Sequence, residues 1–289
     1  MSMKKFLIVT ADDFGIHNAV NEAVSEASTA GILTAASLMV GAPAAEDAVR
    51  RARELPQLRV GLHLVLADGF SVLPRQQIPD LVDEHGRFGD GMWLDGVRYF
   101  ALPWLQRQLE AEIRAQFAAF ARTGLVLDHV NAHKHFHLHP TLLKMIVRVG
   151  REFGMSAVRV PDEPLWFSGA GAMASTAFLT PWVALMKARL RAGGIAYNDR
   201  VFGIASTGRL DESVLLDILA RLPPGVTEIY LHPATHSESP ITPTMSHYQH
   251  TAELAALLSE RVAAAVTASG AVRGGYRDVC SLRALARSF

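Results

Sequence analysis

Cysteine is almost missing from this chain. Cys280 stands alone among 289 residues, so no intrachain disulfide can form, which fits a reducing compartment. An excess of either charge is missing too. Lys+Arg and Asp+Glu number 28 each, so no global field favours nucleic acid or an acidic polymer as partner. Charged residues make up only 19% and hydrophobic ones 49%, which excludes a disordered chain and leaves ample material for a core. No apolar run reaches the length of a transmembrane helix. The start, "MSMKKFLIVTADDFG", imitates a signal peptide briefly, but Asp12 and Asp13 end the apolar run too early. Repeats, low-complexity tracts and linker-like breaks are also lacking. The expectation is a soluble, cytoplasmic protein with one domain over residues 1–289, and an oligomer is compatible with it.

What is present is an alternation of short β-type runs and helical periodicity. Strands are expected over 5–10, 35–40, 60–66, 125–131, 157–160, 200–205, 226–231 and 271–275. Helices are expected over 18–30, 44–55, 103–122, 141–153, 181–192, 211–222 and 253–268. Ala19, Ala23 and Ala27 with Val20 and Val24 form one helical stripe. Leu105, Leu109, Ile113, Phe117 and Phe120 form another behind Pro103, which suits a first turn. Eight strands alternating with helices predict an α/β fold with parallel strands, closed into a (β/α) barrel that can be distorted. An open doubly wound sheet is the alternative.

In such folds the chemistry lies at the carboxyl ends of the strands. The first expected strand ends in "TADDFG" with Asp12 and Asp13, and the third carries His63 in "GLHLVL". The fourth runs into "VNAHKHFHLHP", with His133, His135, His137 and His139 at alternate positions. If extended, that segment would set all four imidazoles on one face. The fifth ends in "RVPDEP" with Arg159 and Glu163, and the seventh in "YLHPAT" with His232. Singly, each has a bland reading: a helix cap, a core histidine, a surface ion pair, a polar strand face. Gathered at one end of one sheet, buried acids and imidazoles are costly unless a shared cation compensates them. One carboxylate with two imidazoles and open positions is a catalytic metal pattern. Adjacent aspartates on an extended segment point to opposite sides, so one can bind metal while the other approaches its water.

In order and spacing, "TADDFG", "GLHLVL", "NAHKHFHLHP", "RVPDEP" and "EIYLHPAT" resemble the YdjC-like carbohydrate deacetylases, from about Lys5 to the last expected strand. "GILTAASLMVGAPAA", "LDHVNAHKHFHLHP" and "LPPGVTEIYLHPAT" resemble in particular the hopanoid-biosynthesis-associated branch. The resemblance implies a (β/α)-barrel-type fold and metal-dependent removal of an N-acetyl group from an amino sugar. In the narrower branch the implied substrate is an N-acetylglucosaminyl hopanoid. It further implies Asp13, His63 and His133 as metal ligands, Asp12 as base and His232 as acid. His135, Arg159, Glu163 and Trp166 are expected beside the metal or the substrate, and His137 and His139 in hydrogen bonds to the loop. One departure stands out: relatives often carry Asp where this chain has Asn131, and an amide can be neither base nor anion.

One divalent cation is therefore expected, zinc preferred for two imidazoles and a carboxylate, with magnesium the alternative. Asp12 would take the proton of the attacking water and His232 would protonate the leaving amine. The expected partner is a small-molecule or lipid-linked amino sugar, with room for peripheral contact at the inner face of a membrane. Rival readings are a deacetylase of soluble chitin-type oligosaccharides, a metal-dependent phosphoesterase and a non-enzymatic metal-binding protein. Residues 164–194 are rich in apolar groups: Trp166, Phe167, Met173, Phe178, Leu179, Trp182, Leu185 and Met186. Lys187, Arg189 and Arg191 follow. This stretch is expected either to pack on the barrel or to form a lid or docking face for an apolar tail.

Overall fold

The computed structural model describes residues 4–91, 102–236 and 241–287; the side chains of 168–179 and 283–287 lie outside that description. Its centre is β1 (Lys5–Phe14), buried from Phe6 onward. A strand covered on both faces needs such a near-continuous apolar run. On one side β1 pairs with β2 (Ala35–Leu38), which pairs with β3 (Arg59–Leu64), and β3 with β4 (Val130–Ala132). On the other side it pairs with β6 (Gly225–Leu231), which pairs with β5 (Arg200–Phe202). Every pairing is parallel, including the two-residue β7 (Val272–Arg273) against Phe6 and Leu7.

The sheet curls into a distorted (β/α) barrel, and the expected fifth strand is where it departs from regularity. Residues 157–160 form only isolated bridges, Val130↔Val158 and Ala157↔Ala196, spanning the gap between β4 and the approach to β5. The reason is a side chain that replaces a partner strand. Asn198 Oδ1 accepts the Val160 N–H at 2.7 Å, and its Nδ2 donates to the Val160 carbonyl at 2.8 Å. Pro161 then ends any ladder, having no N–H to give.

The helices α1 (Asn18–Ala30), α2 (Ala45–Glu54), α3 (Pro103–Arg122) and α4 (Pro140–Glu152) follow their apolar stripes. Three differences appear further on. The helix expected from Pro181 begins at the leucine after Pro164 and runs through Pro181 as α5 (Leu165–Ala192). Of the apolar residues singled out there, the side chains of Met173, Phe178 and Leu179 lie outside the described residues. After α6 (Glu212–Ala220), the helix expected over 253–268 is two, α7 (His250–Leu258) and α8 (Glu260–Ala268). Ser259 divides them with extended backbone, its hydroxyl accepting the Val262 N–H as an N-cap. A last helix, α9 (Tyr276–Arg287), was not legible in the periodicity. Among the described residues no helix is long and apolar enough to cross a membrane.

The long connection from β3 to α3 is tied down by two polar residues buried on α3. Glu112 accepts the N–H groups of Val72 and Leu73 at 2.8 and 2.9 Å. Gln116 exchanges two hydrogen bonds with the Val65 backbone and donates to Glu112. Glu112→Ala strands two backbone donors, so urea unfolding should show a loss of roughly 2–4 kcal/mol. A loss below about 0.5 kcal/mol would mean that water replaces the carboxylate there.

Candidate functional site

Four strand ends converge on one buried group of donors. Asp12 and Asp13 lie near the end of β1, His63 in β3, His133 just after β4 and His232 just after β6. Asp13 has a left-handed backbone, φ 62°, which turns its carboxylate away from that of Asp12. Asp13 Oδ1 lies 3.3 Å from His63 Nε2 and 3.1 Å from His133 Nδ1, and the two nitrogens are 3.4 Å apart. The three side chains offer one oxygen and two nitrogens that all lie within 4.8 Å of one another. Neither Asp13 oxygen has an aligned hydrogen-bond donor, and His133 Nε2 has no partner. Buried polar atoms left in this condition are costly. A divalent cation among them would remove the cost, and the O,N,N set is the kind zinc takes in catalytic sites. Burial opposes ionisation of Asp13, yet the imidazoles of His133, His63 and His232 hold its carboxyl well below the usual range.

Asp12 faces the opposite way, into an ionic network. Arg159 Nη1 donates to Asp12 Oδ2 and Nη2 to Oδ1, the latter at 2.9 Å. The same guanidinium gives two bonds of 2.8 Å to Glu228. Glu228 also accepts from Thr10 Oγ1 at 2.6 Å and from Tyr276 Oη. Arg159 is fully buried and stacks 4.6 Å from the Tyr230 ring centre. Burial alone would raise the Asp12 pKa; Arg159, with His63 and His232, pulls it well below the usual carboxylate range. Asp12 is therefore an ionised acceptor, pinned in place.

The histidine run is not an extended face. Residues His133–Leu138 form a tight 3-10 turn, with Lys134 and His135 in left-handed conformation at φ 54° and 56°. Alternation therefore fails as a guide, and each imidazole goes its own way. His133 joins Asp13 and His63. His135 Nε2 meets Tyr230 Oη at 2.9 Å. His137 Nε2 donates to the Arg159 carbonyl at 3.0 Å. His139 leads into α4, its carbonyl accepting the Leu143 N–H. Burial pushes His135 well below its ordinary value, His137 down to about 3 and His232 down to about 4.

His232 Nε2 stands 3.9 Å from Asp13 Oδ2. Its backbone is clamped: the N–H donates to Glu253 at 2.6 Å and the carbonyl accepts from His250 Nδ1 at 2.6 Å. The remaining expected residues are placed less directly. Glu163 is buried and accepts the backbone N–H groups of Gly203, Ile204 and Ala205, so the bland reading of a surface pair with Arg159 fails. Trp166 is 49% exposed, lies against Phe202 and carries the Arg221 guanidinium 4.4 Å over its ring. Sequence reasoning missed Glu228, Tyr276 and the bridging place of Asn131. Glu228 had a signal, a charge within the apolar "VTEIYL"; Tyr276 had none.

The sequence and the fold can be set beside those of other proteins. The family model described as YdjC-like protein matches residues 6–268. A carbohydrate deacetylase of Brevibacillus brevis is 39% identical over 163 residues, 56% of this chain and 60% of that protein. A chitooligosaccharide deacetylase of Serratia marcescens is 33% identical over 154 residues, 53% of this chain and 58% of that one. The chain thus spans about three-fifths of the length of the curated relatives it matches. A solved structure from Enterococcus faecalis V583, described as a candidate cellobiose-phosphate cleavage protein, superposes with a TM-score of 0.74 at 23% identity. It covers 95% of this chain and 98% of the other. That likeness shows the fold.

The depressed imidazoles have a consequence for stability. His137 is neutral in the fold down to about pH 3, whereas an unfolded histidine takes a proton near 6.5. Between those values the unfolded chain binds the extra proton, so stability is present above pH 6.5 and is lost as the pH falls. In the metal-free protein, His137→Gln, which keeps a donor for the Arg159 carbonyl, should reduce the slope of unfolding free energy against pH between 4 and 6. The reduction should be about 1.4 kcal/mol per pH unit. Denaturant titrations across that window measure it, and an unchanged slope would refute the buried neutral imidazole.

Proposed function

Since the chain belongs to the YdjC-like protein family, we propose that it is a metal-dependent carbohydrate N-deacetylase, releasing acetate from an N-acetylated amino sugar. One observation carries this reading: an ionised, immobilised carboxylate, Asp12, stands next in the chain to Asp13, which forms a buried O,N,N trio with His63 and His133 and whose two oxygens lack hydrogen-bond partners. Asp13, His63 and His133 would hold the cation, zinc before magnesium. When bound, such an ion acidifies water and polarises an acyl oxygen.

The chain's own residues supply the rest. Arg159 and Asn131 keep Asp12 ionised and aimed, so that it can accept the proton of the attacking water. His232 is the group for the leaving amine. Burial leaves its imidazole neutral at pH 7, so it must first take up a proton from solvent, which it then passes to the leaving amine, while Asp12 returns the water's proton to solvent after acetate leaves. Tyr230 and Tyr248 flank that ring at 5.6 and 4.9 Å and limit its rotation. A phosphoesterase reading is less well supported. Arg159 is engaged by two carboxylates, and Lys134, next to His133, is paired with Asp68, so neither cation is available to a phosphate. A metal carrier would have no use for the pinned Asp12.

For the substrate we favour an amino sugar carried on an apolar lipid, the hopanoid reading, over a soluble chitin-type oligosaccharide. The support is a cleft of about 630 Å³ lined by Pro161, Leu165, Trp166 and Val183 together with the charged Asp162 and Arg200. Leu165, Trp182 and Leu185 on the same helix are also exposed. The soluble alternative is supported by the name of the Serratia relative.

Two experiments test these readings. Asp12→Asn should retain zinc while losing about 10²–10⁴-fold in acetate release, whereas Asp13→Ala should lose metal and activity together. Metal content by atomic emission and acetate release from chitobiose and an N-acetylglucosaminyl lipid give both quantities; wild-type turnover in Asp12→Asn would remove it as base. Trp166→Ser, which leaves the packed Phe167 in place, should raise KM for the lipid-linked substrate several-fold and spare chitobiose. Equal effects on both substrates would favour the soluble alternative.

A further inference from the structure

A second set of buried polar residues runs down the barrel from the candidate metal centre. Asn131 touches both halves of the site: its Oδ1 faces His63 Nδ1 at 2.7 Å, and its Nδ2 donates to Asp12 Oδ1 at 3.1 Å. The same Nδ2 donates to Ser37 Oγ at 2.9 Å. Ser37 Oγ lies 3.0 Å from His129 Nε2, and His129 Nδ1 lies 2.9 Å from Asp128 Oδ2. Asp128 in turn accepts the N–H groups of Tyr276 and Arg277 at 2.9 and 3.0 Å, at the start of α9. Ser37, Asp128, His129 and Asn131 are all buried. His129 is seated tightly: a Cβ on Gly61 would come within 2.5 Å of its ring, and Tyr276 stacks on it with ring centres 4.9 Å apart.

With one proton on the His129 ring, the donors and acceptors of this chain run in one direction. Asp128, held below the usual carboxylate range by His129 and the two N–H groups against the effect of burial, accepts only. His129 must then carry its proton on Nδ1 and accept at Nε2 from the Ser37 hydroxyl. Ser37 Oγ is left to accept from Asn131 Nδ2. Asp12, ionised by Arg159, makes the same demand on that amide from the other side. With its NH₂ group claimed twice, Asn131 presents its oxygen to His63 and requires the proton on Nδ1. His63 Nε2 is then the nitrogen that faces Asp13 and His133: it would offer its lone pair to a cation in the trio, and without one the carboxylates of Asp12 and Asp13 favour a proton there against the effect of burial.

We propose that Asn131 is a positioning residue that fixes the His63 tautomer for cation binding and orients Asp12, and that Ser37, His129 and Asp128 set its orientation from the opposite end of the barrel. The cation-binding part rests on the reading of Asp13, His63 and His133 as a metal centre. An amide does not pass protons as a carboxyl or imidazole does, so the chain orients groups rather than conducting protons. It also gives an amide at position 131 a physical role: an amide satisfies His63 and Asp12 together, where a carboxylate would repel Asp12.

The test uses the full-length, metal-free protein with ¹⁵N-labelled histidine, the His63 signals being assigned with His63→Gln. Wild type should show His63 protonated at Nδ1. Asn131→Ala should shift it to the Nε2-protonated form or an average of the two, and weaken zinc binding by about 10–100-fold in competition with a chromophoric chelator. Asn131→Asp keeps an acceptor for Nδ1 and should restore both, while turnover stays at least 10-fold low with KM unchanged, since the donor to Asp12 is gone. Ser37→Ala should give a smaller loss of zinc affinity and a partial shift of tautomer. Ser37→Cys, nearly isosteric and a poor donor, replaces it if that variant does not fold.

An Nδ1-protonated His63 in Asn131→Ala overturns the assignment. Wild-type behaviour in both Ser37 variants overturns control from the far end, and wild-type turnover in Asn131→Asp overturns the contact to Asp12. If wild type binds no zinc, the metal reading falls, and the tautomer still reports on the chain.

Discussion

The site depends on a single buried guanidinium. Arg159 has no exposure to solvent and would be very costly to bury alone, several kcal/mol even after relaxation. It is tolerated because Asp12 and Glu228 take all of its charge-assisted bonds between them, with Tyr276 and Thr10 satisfying the remaining lone pairs of Glu228. The dependence runs both ways. Without Arg159, two carboxylates would face each other's field in the barrel interior, and Asp12 would protonate and cease to be an acceptor. Arg159 also lies in the irregular segment that bridges β4 to the approach to β5, so closure of the barrel and ionisation of Asp12 are one structural event.

Backbone geometry then separates Asp12 from its neighbour. Among the described residues, the non-glycine positions with left-handed backbone are Asp13, Asp68, Lys134 and His135. Two of them flank or belong to the candidate trio directly, and Asp68 is joined to Lys134 by a 2.6 Å ion pair. Such conformations are uncommon outside glycine and are retained where the surroundings over-determine them. At Asp13 the turn sends one carboxylate to the imidazoles while Asp12 goes to Arg159. At Lys134 and His135 it breaks the run of histidines so that only His133 reaches the trio. A chain in regular extended geometry could not divide "ADD" and "HKHFH" in this way.

This explains which features the sequence made legible. β1, α1 and α3 are governed by periodicity and apolar runs, and their positions follow from it; the ends of α1 and α3 coincide with expectation. The gathering of aspartates and histidines was legible because parallel α/β architecture sends strand ends to one place, whereas the choice of Asp13, His63 and His133 among them came from the family resemblance, and the structure brings those three together. The rest turned on contacts with no local signature. Asn198 replaces a partner strand for Val160, and nothing in "YNDR" announces it. Ser259 breaks a helix whose apolar pattern continues across it. The destinations of the four alternating histidines were not legible, because periodicity assumes an extended backbone that left-handed Lys134 and His135 abolish.

Asp13 joins the two halves of the proposed chemistry, and its two oxygens are not equivalent. Oδ1 faces His63 and His133, whereas Oδ2 is the atom nearest His232, at 3.9 Å. Were Oδ1 to serve a cation, Oδ2 would remain directed at His232, the imidazole proposed as the acid. The carboxylate can then favour the charged imidazole from one oxygen while the other serves the metal side, so that His232 need not carry its proton before substrate arrives. The burial that keeps His232 neutral at rest becomes useful on this view. A permanently protonated imidazole would compete with the cation for the same carboxylate, and a neutral one does not. The clamp on the His232 backbone by Glu253 and His250 holds the ring with Nε2 3.9 Å from Asp13 Oδ2 and Nδ1 without a hydrogen-bond partner. The proposed acid would thus combine a fixed position with a carboxylate within reach of the charge it takes on in mid-reaction.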